Sequence, residues 1–164
     1  MMRYLILILS VLPVIAFAKK QQVYYEPQIV ELTGVIKILK FPGPPNYTSI
    51  KDGDADETGA YLLLTAPIDV VGDPKLHNDD NMPENNVKIL QLVVKKDSDW
   101  NQIKEGNKVH IMGTLFHALT AHHHVRVLLD VKNIRIVSHQ SMMNKELDLT
   151  QEDQQFLKHQ YLHE

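Results

Sequence analysis

The segment VKILQLVVKKDSDWNQIKEGNKVHIMGTLF, residues 87–116, decides how the chain is read. It opens with a strongly apolar strand, VKILQLVVK, over 87–95. DSDWNQIKEG, 97–106, then predicts a short helix. Ser98 is its N-cap, Trp100 and Ile103 sit three apart on the core side, and Gly106 stops it. NKVHIMGTLF, 107–116, is the next strand, with Val109, Ile111, Gly113 and Leu115 sharing one face at period two.

Working outward, QIVELTGVIKILKF (28–41) is a strand with Val30, Leu32, Ile36 and Ile38 on its core face and Gly34 marking a bend or close approach. AYLLLTAPIDVVG (60–72) is a second strand region, broken at Pro67. VRVLLDVKNIRIV (125–137) is a fifth, with Val125, Val127, Leu129 and Val131 inward. The order is therefore three strands, a short helix and two strands. This predicts a mainly β fold: a five-stranded OB-fold-like barrel over 28–139, with the short helix between strands three and four. A two-layer β-sandwich is the alternative arrangement of the same strands. LDLTQEDQQFLKHQYLHE (147–164) predicts an appended C-terminal helix in a 140–164 tail.

The chain begins MMRYLILILSVLPVIAFAKK. One arginine precedes a short apolar run that ends in Ala16-Phe17-Ala18, the pattern of a secretory signal peptide cleaved after Ala18. Residues 19–27 then form a linker. The expected product is periplasmic or secreted, with no membrane span after cleavage. There is no cysteine, so neither disulfides nor a thiol nucleophile are available. Without Arg3, 16 basic residues face 20 acidic ones, a net charge near −4. That balance argues against nucleic acid as a partner.

Two segments are chemically unusual. PGPPNYTSIKDGDADETG (42–59) is a long proline- and glycine-rich loop that presents Tyr47 and the acids Asp52, Asp54, Asp56 and Glu57. Its DGDAD run fails the EF-hand pattern: counted from Asp52, the positions that need glycine and glutamate hold Glu57 and Leu63. HALTAHHH places His117, His122, His123 and His124 at the hairpin between the last two strands. In the OB-fold order these two loops flank one ligand face.

Strand parity sorts the histidines. Residues opposed across an antiparallel pair share a face, so His117 is expected to oppose His123 or Val125. With a loop over 118–122, His117 and His123 face each other, Cβ atoms about 5 Å apart. His122 and His124 then fall on the outer side. Neither pair completes a tetrahedral site. A third ligand has to come from Asp54 or another acid of the first loop, or a β-bulge has to bring three imidazoles together.

FPGPPNYTSIKDGDADETGAYLLLTAPIDV near the front and GNKVHIMGTLFHALTAHHHVRVLLDVKNI near the back together resemble a small secreted bacterial family of unknown function, domain-of-unknown-function family 4431. Members often carry histidine where this chain has Leu119, and cysteine where it has Asp69. The resemblance implies an envelope location and no particular chemistry.

The expected function is a non-enzymatic binding module whose recognition site joins the two loops through Tyr47, Asp52, Asp54, Glu57, His117, His122, His123 and His124. An envelope protein that it partners or inhibits is the expected ligand, with a glycan or small anion as alternatives. The rival is a zinc- or copper-binding protein that uses His117, His122, His123, His124 and Asp54, with a weak metal-dependent hydrolase at the same site as a third class. The serines lie in no nucleophile-elbow pattern.

Overall fold

A computed structural model describes residues 20–73, 75–76 and 81–138. The signal segment and the expected C-terminal helix lie outside the described residues. Within them the protein is mainly β: one six-stranded sheet and a single helical turn. The elements are β1 (Gln21–Tyr24), β2 (Ile29–Pro42), β3 (Asp56–Val71), β4 (Glu84–Val93), α1 (Asp97–Trp100), β5 (Lys108–His117) and β6 (Val127–Ser138).

The five expected strands are β2 to β6, and the helix falls between β4 and β5. Antiparallel pairings join β2 to β3, β3 to β4, β5 to β6 and β2 to β5, while β4 and β6 run parallel. The pairings therefore pass from β2 through β3, β4, β6 and β5 and return to β2. Two long strands make this possible by changing neighbours along their length. β2 pairs with β5 over 29–35 and with β3 over 34–42. Gly34 sits at the overlap, where an added Cβ would run into the Leu63 carbonyl and the Leu62 side chain, so only glycine lets the strands approach this closely.

Alternation places one core inside this circuit. Leu32, Ile36, Leu62, Leu90, Ile111 and Leu129 are among its most buried members. A second, smaller cluster of Phe41, Tyr61, Ile89 and Val125 lies on the opposite face of β3 and β4, because Tyr61 and Ile89 directly precede the core residues Leu62 and Leu90.

Five expectations change. Residues 21–24, read as linker, form β1, which runs parallel to β3 over Ile68–Val71 and buries Val23. Pro67 does not end its strand: β3 continues through it, and the β3–β4 register shifts between Leu63 and Ile68, where a residue without an amide proton is tolerated. Ile38 is 38 % exposed, and Phe41, of opposite parity, is buried instead because its face has its own cover. Ser98 lies inside the helical turn, whose N-cap is Lys96 without a side-chain hydrogen bond. Trp100 is 47 % exposed: the buried residue of the four-residue turn is Asp99, and Ile103, beyond the turn, enters the core instead.

Candidate functional site

The loop between β2 and β3 is organised by Asp54, which is buried. Its Oδ1 accepts from the Asn46 amide at 2.9 Å, and its Oδ2 from the amides of Thr48 at 2.7 Å and Ser49 at 2.9 Å. The Asn46 and Thr48 side chains add two more bonds. The Ser49 and Thr48 amides hold the Asp54 carboxyl well below the usual carboxylate range, against the opposing effect of burial. These bonds bracket Tyr47, which stands at φ 57°. A tyrosine in that left-handed region costs on the order of 1–3 kcal/mol and persists only where its surroundings impose it. Asp54 is thus committed to its own loop rather than available as a ligand. Asp52 is exposed, its amide donating to Ser49, and Asp56 pairs with Lys40 at 2.7 Å.

The second loop spans 118–126, longer than expected, because His117 opposes Val127 and not His123 or Val125. The even pairing sum holds, but the hairpin gains length because Val125 leaves the ladder to pack on the outer cluster. The register shifts in this pair fall between Lys108 and Val109 and between Met112 and Gly113, both away from the loop, so they gather no imidazoles.

The four histidines accordingly occupy three surroundings. His117 faces Glu84 at 3.2 Å, with Arg126 on the other Glu84 oxygen at 3.3 Å and the Tyr25 ring edge-on. Burial, and then the Glu84 charge, raise the Tyr25 phenol above its ordinary range. The His123 ring turns back on its own loop, accepting from the Leu119 amide at 2.9 Å and meeting Phe116 edge-on. His124 is buried and stacks on Phe41, with centroids 4.3 Å apart and planes 6° apart. Burial lowers the tendency of His124 to protonate, and the neighbouring Glu57 only partly opposes this.

His122 joins the two loops. Its Nδ1 lies 2.7 Å from Glu57 Oε1 and its Nε2 lies 3.0 Å from the Tyr47 hydroxyl. Glu57 Oε2 lies 3.5 Å from His124 Nε2. Tyr47, Glu57, His122 and His124 therefore come together, whereas Asp52, Asp54, His117 and His123 do not join them.

Sequence reading misses two residues that set this geometry. Gln91 clasps the loop from β4, donating to the His122 carbonyl at 2.9 Å and accepting from the His124 amide at 2.8 Å. It is the one uncharged polar side chain in the apolar run of β4, which was the available signal. Phe41 supplies the stacking partner and carries no such signal. Among the described residues, no group of three or more His, Cys, Asp or Glu is arranged to hold a metal ion. No described helix is long and apolar enough to cross a membrane.

Residues 89–135 match the model of a family described as Domain of unknown function (DUF4431). The matched stretch runs from Ile89 in β4 to Arg135 in β6 and includes Gln91 and the histidine loop. No curated protein matches the chain.

Proposed function

We propose that this chain, which carries the DUF4431 domain over 89–135, is a non-enzymatic recognition module of the bacterial cell envelope, built on an OB-type barrel. The strand circuit, the parallel β4–β6 pair and the helix between β4 and β5 support the barrel. In that fold ligands meet the second and third strands and the two loops beside them; here these are β3, β4, and the loops 43–55 and 118–126. The observation that carries the reading is the direct junction of those loops, Tyr47–His122–Glu57, on an otherwise ordinary scaffold. A recognition surface made of two loops that brace each other is pre-organised, and binding then spends little free energy on ordering.

The proposed partner is an envelope protein, reached after secretion and cleavage behind Ala18. The test presents the immobilised mature domain and a Tyr47→Ala/His122→Ala variant to envelope extract. Retention of one protein by the native domain and its loss with the variant is the expected result; equal retention by both, or none by either, overturns the reading.

One observation favours the metal reading as a second: Glu57 Oε2 and His124 Nε2 are buried, lack hydrogen-bond partners and face each other. Titration of the untagged protein with zinc and copper decides it, since absence of stoichiometric binding removes that reading.

A further inference from the structure

The junction that braces the loops has a second chemical consequence, which depends only on the Tyr47–His122–Glu57 geometry and not on any partner. An ionised carboxylate accepts hydrogen bonds and donates none. Glu57 Oε1 at 2.7 Å from His122 Nδ1 therefore places the proton of the neutral ring on Nδ1. The lone pair is left on Nε2, which faces the Tyr47 hydroxyl at 3.0 Å. The hydroxyl is thus the donor of that bond, and the imidazole is set up to receive its proton. Carboxylate, imidazole and hydroxyl stand in the order by which hydroxyl nucleophiles are activated.

Three further observations fit this arrangement. The main chain at Tyr47 is held at φ 57° by the bonds of Asp54 to Asn46, Thr48 and Ser49, which sets the direction in which the side chain leaves the loop. The His122 main chain is held by the Gln91 side chain, which donates to its carbonyl at 2.9 Å. The site is open to solvent, with the His122 side chain 56 % exposed, so a reagent can reach it.

We propose that Tyr47 is a base-assisted hydroxyl nucleophile that accepts acyl groups from activated esters, with His122 as the base and Glu57 as its positioning residue. In the step, Tyr47 Oη bonds to the acyl carbon and the bond from that carbon to the ester oxygen breaks. The hydroxyl proton passes to His122 Nε2, the imidazolium is balanced by Glu57, and the proton then moves to the departing oxygen.

The mature protein supplies an internal reference. Tyr24 is 45 % exposed in β1, while Tyr25 and Tyr61 are buried. The experiment treats the protein with p-nitrophenyl acetate and follows acetylation of each tyrosine by peptide mass spectrometry. Tyr47 is expected to be acetylated about 100-fold faster than Tyr24, the lower end of what a positioned base supplies. His122→Gln is expected to bring Tyr47 down to the Tyr24 rate and Glu57→Gln to lower it in part, with Tyr24 itself unchanged. Equal rates at Tyr47 and Tyr24 in the native protein, an acetyl group held on His122 with none on Tyr47, or a Tyr47 rate untouched by His122→Gln would each overturn the proposal. Labelling of Tyr25 or Tyr61 in a variant marks it as unfolded, and the native comparison then decides alone.

Discussion

At the scale of single residues, His124 is the side chain on which the outer face turns. It exchanges water for the Phe41 ring, and its Nε2 faces Glu57 Oε2 at 3.5 Å, neither atom having a hydrogen-bond partner. Removing the ring in His124→Ala is expected to cost about 1–3 kcal/mol in urea unfolding, from lost burial and stacking. His124→Phe keeps the stack but removes the nitrogen that faces Glu57 Oε2, so a smaller loss than for His124→Ala is expected. Protonation gives an independent check. Burial lowers the His124 value below its unfolded one near 6.5, and burial, then His122, does the same for His123. A group depressed on folding contributes stability that is present above its unfolded value and lost as pH falls below it. The urea midpoint should therefore fall between about pH 7 and pH 5, and fall less in His124→Phe. Asp54, Asp69 and Asp130 are also lowered and add a loss of the same sign, but only near and below about pH 4.

At the scale of elements, the loop 118–126 behaves as a strap across β3 and β4, held by Gln91, by the His124 stack and by the Val125 contact. Gln91→Leu leaves the His122 carbonyl and the His124 amide without partners while keeping β4 apolar. It should speed amide exchange across 118–126 selectively and cost about 1–3 kcal/mol. Gly34→Ala forces a Cβ against the Leu63 carbonyl, which cannot rotate away. A loss at or above the upper end of about 1–3 kcal/mol is expected, read as a lowered thermal midpoint. The period-two pattern makes β2 to β6 legible in the sequence because one face of each strand meets the core. It misleads at Ile38 and Phe41 because the covered face of β2 changes along its length: the even face is buried up to Ile36, and the odd face is the covered one at Phe41. The loop junction is legible as two odd segments that the strand order brings together. The particular partners are not, because Val125 and Arg126 read as strand, and nothing local shows that the chain leaves the ladder until Val127.

At the scale of the whole molecule, β1 completes what the five-strand reading leaves open. Val23 and Tyr25 are buried, and the Glu26 amide donates to the Leu115 carbonyl at 2.8 Å. A chain beginning at Glu26 is expected to lose about 1.5–3 kcal/mol for each buried side chain removed, measurable by denaturant unfolding. The strand is hidden in the sequence because QQVY is too short to show a period. Its pairing is parallel and non-local, which no turn signal announces. The arrangement also bears on how copies of the protein treat one another. Each of β2 to β6 has two or more partner strands, though not along its whole length: β6 meets β4 only over Leu128–Asp130, and among the described strands β1, four residues long, has a single partner. Unpaired strand edges are the templates on which chains add to each other into aggregates and fibrils. Closing the strand circuit leaves fewer such templates than an open sheet has, so the folded domain should stay dispersed at concentrations where an open sheet of the same composition would not.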